Sequence, residues 1–293
     1  MPPRDLILIG LVILAWGSNF TAMKLALDEL PPFLFVGLRF AILLPLIVVL
    51  KRPKVPWWKI IAVGALINMG QFAFLFAALE ANATAGLGSL LIQTQAPITI
   101  FLSFLIFGER ITTWQAAGLA VALAGIGLFA LSAGGNVTPL GLGLILLAAL
   151  CWALGNLVLK RMGRVNTLAL FIWASLVPPL PMLALSFAVE GAAPFATLAA
   201  MTAEGWLAVI YVALASTVLG YTLWGALLAR HPASTVTPFA LLIPVVGIAV
   251  AWAVLGERPG PLDWAGTTVI LAGLALIQIR PRRRQAKPGR PAP

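Results

Sequence analysis

Several amide side chains lie inside long apolar runs of this chain, at positions where leucine would be less costly to bury, and five of them are candidates for a site. They are Asn19, Gln71, Gln93, Gln95 and Asn156. An amide offers hydrogen-bond donors and an acceptor, and a polar group held among apolar residues marks either a binding site or a bond between helices. Both interpretations are open: Asn19 and Asn156, for example, either contact a zwitterionic ligand or a gate, or join neighbouring helices.

The stretch LIQTQAP places two of these amides beside Pro97. Proline has no backbone N–H, so the carbonyl four residues earlier, that of Gln93, loses its helical partner. A free carbonyl next to amides is tolerated at membrane depth where it faces protein or a water-filled cavity. We therefore expect Gln93 or Gln95 to line a cavity. The alternative is an ordinary proline kink whose amides bond neighbouring helices.

Aromatic residues provide a second possible wall of a site. Tyr221 and Trp224 are three residues apart, so they share one face of a helix, and the same spacing relates Asn68 and Gln71. Aromatic rings can hold the apolar part of a small amphipathic ligand while amides meet its carboxylate and ammonium groups. Aromatic rings are also common in packed cores, which is the alternative for Tyr221 and Trp224.

Two cations lie within apolar segments. Arg39 falls about 10 Å into its helix at 1.5 Å per residue. A permanent charge at that depth needs a carboxylate, backbone carbonyls or water. Arg39 could neutralise a ligand's carboxylate, but an ion pair with Glu257 or Glu80 is the favoured interpretation. A structural or gating role is expected of Arg39, Lys24, Pro97, Pro238 and Pro244.

Titratable acids and histidine are missing from the middle of every apolar segment, and the single histidine, His231, precedes a proline in a loop. Transport coupled to protons normally needs an embedded titratable group. The sequence therefore favours facilitated transport without a proton relay. Lys24 could titrate if it were desolvated, which keeps proton antiport open as an alternative.

The elements that position these residues follow from composition. The chain has 293 residues, of which 61% are hydrophobic and 10% charged, with a mean hydropathy of +1.03. Soluble domains carry about 25% charged residues, so we predict an all-α integral membrane protein. The net charge of +10 is spread over short loops and a tail, which argues against nucleic acid and in favour of the lipid bilayer as partner.

Proline, glycine and charge clusters divide the chain into ten apolar segments, each near the length that crosses about 30 Å of hydrocarbon. They are Leu6–Leu27, Phe33–Leu50, Trp57–Leu79, Ala83–Phe107, Trp114–Ser132, Leu140–Lys160, Leu168–Phe187, Gly205–Ala229, Ala233–Leu255 and Asp263–Ile279. Ten crossings place 16 of the 19 basic residues on one side and seven of the nine acids on the other. The positive-inside rule then predicts that both termini are cytoplasmic.

The two halves of the chain resemble each other. FGER at residues 107–110 returns as LGER at 255–258, and two Ala-Gly pairs recur at the same offset of 148 residues. Five segments per half is an odd number, so the second half crosses in the opposite sense. We predict two inverted five-helix repeats, residues 1–138 and 139–280, followed by a disordered basic tail at 281–293. Such repeats are typical of secondary transporters.

Several motifs together resemble the EamA-type branch of the drug/metabolite transporter superfamily. They are WGSNFTAMK, LRF, GQFAFLFAAL, LIQTQAP, FGER, CWALGN, GYTLWG and LLIPVVG, which in order cover most of residues 6–279. The resemblance implies ten helices in two inverted repeats and a central cavity lined mainly by the first, third, fourth, sixth, eighth and ninth segments. It also implies a bacterial inner-membrane exporter of amino acids or related metabolites, and it leaves the cargo open.

Other classes of function fit less well. The single histidine excludes an HExxH metal pair and an intramembrane Ser/His/Asp set, so an enzyme is not favoured. A phosphate-binding GxxxxGK[ST] loop is missing, which argues against an ATP-driven pump. A receptor or scaffold would not need the polar segments. The remaining alternative is an efflux transporter for drugs or other metabolites. We expect a small-molecule cargo, no cofactor and no metal, with a monomer and a homodimer both open.

Overall fold

A computed structural model describes residues 1–81, 83–108, 111–131, 138–162, 165–231, 236, 239–240 and 242–278. Within those residues every regular element is helical. The helices are α1 Pro3–Leu27, α2 Pro32–Ala41, α3 Trp57–Glu80, α4 Ala85–Phe107, α5 Thr113–Leu131, α6 Pro139–Lys160, α7 Thr167–Ala174, α8 Pro179–Val189, α9 Ala193–Thr197, α10 203–230, α11 Leu242–Leu255 and α12 Pro261–Gln278. A 3₁₀ turn, Leu44–Ile47, follows α2.

Five of these helices, α1, α3, α4, α6 and α10, are long and apolar enough to cross a membrane. The pair α7 and α8 adds a sixth candidate if its 40° bend lies within one span. The shorter apolar helices are Pro32–Ile47, Thr113–Leu128, Leu242–Leu255 and Pro261–Ile277. The chain is therefore an all-helical protein with several candidate spans, and the count of ten stays a prediction. Pro238, the Glu109-Arg110 pair and the basic tail lie outside the described residues.

Three of the long helices change their hydrogen-bonding pattern partway along. In α4, a 3₁₀ turn at Ile92–Thr94 interrupts the helix just before Pro97, as the missing proline N–H leads one to expect. In α3 and α10, π-helical segments occupy Gly64–Gln71 and Val212–Leu219. The two π segments are 148 residues apart, which is the offset that relates FGER to LGER. The internal similarity therefore extends to an unusual backbone feature.

The two glycines of FGER and LGER share a second backbone feature. Gly108 and Gly256 end α4 and α11 in the left-handed conformation, with φ of 64° and 67°. A residue without Cβ adopts that conformation at little cost, and glycine commonly ends helices in this way.

The helices α5 and α12 pack backbone against backbone through the repeated Ala-Gly pairs. A Cβ on Gly118 would come within 2.6 Å of the Gly273 carbonyl oxygen, and one on Gly125 within 3.1 Å of the Gly266 oxygen. The residue number rises along α5 as it falls along α12, so the two helices are antiparallel. Because they occupy equivalent places in the two halves, their opposite directions fit an inverted relation between the halves.

The helices α1 and α10 also lie side by side in opposite directions. At the end of α1, Glu29 accepts hydrogen bonds from the backbone N–H and the hydroxyl of Thr202, which precedes α10. These bonds hold the pKa of the Glu29 carboxyl below its ordinary value. At the start of α1, Asp5 pairs with Arg230 at 2.8 Å and with His231 at 2.6 Å. Polar contacts therefore join the two helices at both ends.

Two further acids cap helix starts rather than pair with cations. Glu257 accepts from the backbone N–H groups of Ala85 and Gly86 at 2.7 and 2.9 Å. Glu190 accepts from Phe33 and Leu34 at 2.7 and 3.1 Å. A carboxylate at a helix N-terminus satisfies orphan N–H groups and interacts favourably with the helix dipole. Glu257 and Glu190 therefore fix the starts of α4 and α2.

We predict that Glu257→Gln destabilises the protein by about 1 kcal/mol, because one acceptor oxygen and the charge at the start of α4 are both lost. Thermal unfolding of the purified protein in detergent measures this. Glu204→Gln, at an exposed position in the first turn of α10, is the matched control and is expected to change stability by less than about 0.5 kcal/mol. Equal losses in the two variants would contradict the capping role.

Candidate functional site

A cavity of about 90 Å³ lies among the helices. Its walls come from α1, α3, α4, α6, α10 and α11, the six segments that the family resemblance implies. The lining residues are Trp16, Asn19, Phe20, Gln71, Phe72, Leu75, Ile92, Gln93, Trp152, Ser216, Tyr221 and Ile243. Four residues singled out from the sequence, Asn19, Gln71, Gln93 and Tyr221, are therefore brought together around one space.

Two amide oxygens of this cavity have no hydrogen-bond partner among the described residues. They are Asn19 Oδ1 and Gln71 Oε1, and both residues are about 95% buried. The other end of the Asn19 amide makes only a weak contact, from Nδ2 to the sulfur of Met23 at 3.7 Å. A buried polar atom without a partner costs free energy, so each of these oxygens is available to a ligand donor.

Aromatic rings form another part of the cavity wall. The Trp16 indole donates from Nε1 to the Ser216 carbonyl at 2.9 Å, which lies in the π segment of α10. Tyr221 packs edge-on to Trp16 at 5.7 Å and stacks on Phe171 at 4.2 Å between centroids. Trp224 contacts Trp16 at 5.4 Å and is not among the lining residues. Trp224 therefore packs against the lining residue Trp16 without lining the cavity itself.

The other two predicted amides bond to each other. Asn156 Nδ2 donates to Gln95 Oε1 at 2.7 Å and to the Thr99 hydroxyl at 3.3 Å, joining α6 to α4. Neither Asn156 nor Gln95 lines the cavity. For this pair the structure therefore shows the alternative that the sequence left open, a polar bond between helices.

The α3 segment also departs from the sequence-based expectation. Asn68 and Gln71 were expected to share one helical face, but Asn68 donates to the Phe171 carbonyl at 3.2 Å and to Ser175 at 3.4 Å, while Gln71 lines the cavity. Both residues lie in a π segment, where bonds span five residues and α-helical spacing does not hold. The prediction of a shared face is wrong for this reason.

Lys24 and the prolines occupy structural positions. The Lys24 ammonium donates to the Leu79 carbonyl at 2.6 Å, at the end of α3. Pro97 lies buried in the first turn of the second part of α4, and Pro244 lies buried near the start of α11. The structural or gating role of these three residues stays a prediction.

Arg39 is placed differently from the favoured expectation. Its side chain is 98% buried, and its one hydrogen bond runs from Nη2 to Thr217 Oγ1 at 3.4 Å. Among the described residues, Nε and Nη1 have no partner. The ion pair with Glu257 or Glu80 is wrong, because both Glu257 oxygens cap α4 and neither acid bonds the guanidinium. Instead, the Arg39 Cζ atom lies 3.7 Å from the centre of the Phe72 ring.

Comparison with known proteins identifies the family. The sequence profile described as "EamA-like transporter family" matches residues 4–131 and 139–279. The chain belongs to the EamA-like transporter family. A "Probable amino-acid metabolite efflux pump" of Salmonella typhimurium is 39% identical, with 94% of each chain covered, and the Escherichia coli protein of the same name is 37% identical, with 98% of each covered.

Two more distant proteins are also similar to this chain. A "Probable terminal-alkyne amino-acid exporter" of Streptantibioticus cattleyicolor is 29% identical over 96% of both chains. A solved crystal structure, 19% identical, superposes with a TM-score of 0.65 over 98% of this chain and all of the other, which shows a shared fold. As a member of this family, the chain is a multi-pass membrane transporter and not an enzyme.

Eight of the twelve lining residues of this EamA-like transporter were not predicted from the sequence, among them Trp16, Trp152 and Phe72. Trp16 and Trp152 precede Asn19 and Asn156 in related motifs, WGSN and WALGN. The sequence therefore shows that the tryptophan recurs, but it does not indicate that either tryptophan lines a cavity. Phe72 follows Gln71 in an apolar run, where nothing distinguishes a lining phenylalanine from a packed one. Gly220 does not line the cavity but leaves room for the Trp16 indole, with which a Cβ at that position would collide.

We predict that Gln95 and Asn156 are energetically coupled in this EamA-like transporter. A double-mutant cycle with Gln95→Leu and Asn156→Leu should give a coupling of about 0.6 kcal/mol, typical of hydrogen bonds between membrane helices. Unfolding in detergent monitored by circular dichroism measures it. Gln95→Leu with Asn19→Ala is the control cycle, since those amides do not bond, and equal coupling in both cycles would contradict the assignment.

Proposed function

We propose that this chain exports amino acids and related small metabolites by alternating access, without an obligatory proton relay. The observation that carries the proposal is the pair of unpartnered amide oxygens, Asn19 Oδ1 and Gln71 Oε1, on residues that line a cavity whose other lining residues are mostly aromatic and aliphatic. The names of the Salmonella typhimurium and Escherichia coli relatives point to the same cargo class.

The cavity chemistry suits the ammonium end of an amino acid. An ammonium group has three donors and no acceptor, so two free amide oxygens meet it without competition. Leu75, Ile243 and Trp152 offer apolar contact to a side chain. A phosphorylated cargo would need several cations, and the lining residues contribute none.

The size of the cavity supports a transport cycle. Ligand pockets for small organic molecules measure about 300–1,000 Å³, whereas this one measures about 90 Å³. A cargo therefore requires the walls to separate, as alternating access provides. Because the walls come from both halves of the chain, movement of one half against the other changes the volume directly.

The proposed architecture is ten spans in two inverted repeats, residues 1–138 and 139–280, with both termini cytoplasmic. Support comes from the equal offset of the two π segments, from the antiparallel packing of α5 on α12, and from the two profile matches at 4–131 and 139–279. The charge distribution supports the orientation. The proposed location is the bacterial inner membrane.

We predict that Asn19→Ala and Gln71→Leu each raise the half-saturation concentration for amino-acid counterflow about tenfold, which corresponds to one lost hydrogen bond to a charged group, about 1.4 kcal/mol. Proteoliposomes preloaded with unlabelled amino acids and tested with the twenty radiolabelled ones provide the measurement. Asn156→Leu removes an amide that does not line the cavity and should leave the half-saturation concentration within about twofold. Absence of exchange for all twenty would overturn the cargo class.

We also predict that exchange continues without a pH gradient. The described lining residues contain no carboxylate and no histidine, which supports transport without a proton relay. Counterflow is compared in proteoliposomes with equal internal and external pH and in others with an imposed gradient. Rates within about twofold are expected, whereas strict dependence on the gradient would favour the alternative of proton-coupled efflux.

A further inference from the structure

The Arg39 guanidinium is the least satisfied charged group of the described residues. It is 98% buried, two of its nitrogens have no partner, and its single hydrogen bond to Thr217 is long, at 3.4 Å. Removing a permanent charge from water without a counter-ion costs several kcal/mol, and burial is normally accompanied by a carboxylate or by several acceptors. An anion beside Arg39 would therefore bind more strongly than beside a guanidinium that already has a counter-ion.

Phe72 connects this cation to the cavity. Its ring face covers the guanidinium, with Cζ 3.7 Å from the ring centre, and Phe72 itself lines the cavity next to Gln71. Phe40 contributes a second ring contact at 5.3 Å. A ring face attracts a guanidinium only through its quadrupole, whereas a carboxylate offers a full negative charge and hydrogen-bond acceptors. A ligand carboxylate that displaced the ring would gain the difference.

We propose that Arg39 is a carboxylate-binding site for the cargo, covered by the Phe72 ring when the cavity is empty. Nε and Nη1 have no partner, and Nη2 makes only the long bond to Thr217. A carboxylate that displaced this bond would pair with one edge of the planar guanidinium, either Nε with Nη2 or Nη1 with Nη2. With the ammonium at Asn19 and Gln71, the carboxylate at Arg39 defines the cargo as a zwitterionic amino carboxylate. This inference rests on the proposed function and adds the recognition of the acidic end.

Arg39 is connected to the cavity through residues adjacent to its lining. Gln71 and Phe72 are neighbours in α3, so the ammonium site and the cover of the carboxylate site move together. Thr217, the other partner of Arg39, lies in the π segment of α10, one residue after Ser216 of the cavity wall. Arg39 on α2 thus lies against elements of both halves, and a bound carboxylate would link them.

The test compares each exchanged amino acid with its primary carboxamide, which keeps the ammonium and side chain and removes the negative charge. Unlabelled carboxamide competes with the radiolabelled amino acid in counterflow by purified full-length protein in proteoliposomes. We expect the wild-type protein to need at least tenfold more carboxamide than amino acid for half-inhibition. Arg39→Gln is expected to raise the half-saturation concentration at least tenfold and to abolish this preference, while Arg39→Lys retains part of it.

Further variants keep the result interpretable. Arg4→Gln, an exposed cation near the chain start, is the matched control and should behave as the wild type. Phe72→Ala uncovers Arg39 and should make acetate a better competitor than in the wild type, which tests the site with Arg39 intact even if Arg39→Gln fails to fold. Acetate competition unchanged by Phe72→Ala would overturn the covering role of the ring.

The outcomes separate this inference from the proposed function. If the wild type exchanges amino acids but accepts their carboxamides equally well, export of amino acids stands and the carboxylate site at Arg39 falls. The same conclusion follows if folded Arg39→Gln keeps the preference. If the wild type exchanges no amino acid, the proposed function itself fails, and the assignment of an amino carboxylate fails with it.

Discussion

The constraint on which this structure depends is that polar groups among apolar helices must find partners within the protein. Helices satisfy most backbone groups internally, and the described parts of the chain are accordingly helical throughout. Where helices start, carboxylates supply the missing acceptors, as Glu190 and Glu257 do. The amide and guanidinium groups left unsatisfied are those of Asn19, Gln71 and Arg39, and all three lie at or beside one cavity. Their clustering is the chief physical reason to regard that cavity as a site.

Irregular helix geometry places these groups. The π segments in α3 and α10 and the 3₁₀ turn in α4 each contribute lining residues, Gln71, Ser216 and Gln93 among them. The Ser216 carbonyl lies in the π segment of α10 and accepts a hydrogen bond from the Trp16 indole. Part of the cavity lining therefore comes from segments that depart from α-helical geometry, and one of these segments bonds to a neighbouring helix through Trp16 and Ser216.

The sequence predicted much of this arrangement and missed a definite part. Hydropathy indicated an all-helical membrane protein, Pro97 predicted the interruption of α4, and four residues nominated as lining do line the cavity. Periodicity could not predict the π segments, because they change the relation between spacing and direction, and Asn68 was misplaced for that reason. The sequence also could not predict which polar groups bond to each other, because this depends on how the helices pack. Asn156 donates to Gln95, and Glu257 accepts from the start of α4 rather than from Arg39.

The close packing of the halves bears on how such a site could open. The helices α5 and α12 meet through glycines in equivalent positions, so a contact from one half to the other is matched by a reciprocal one. The helices α1 and α10 carry polar contacts at both ends, Glu29 with Thr202 and Asp5 with Arg230 and His231, and the cavity lies between. Under the alternating access proposed, opening toward either side must separate one of these end contacts while the other persists. Two polar end contacts around one cavity are thus what a protein needs to keep both sides from opening at once.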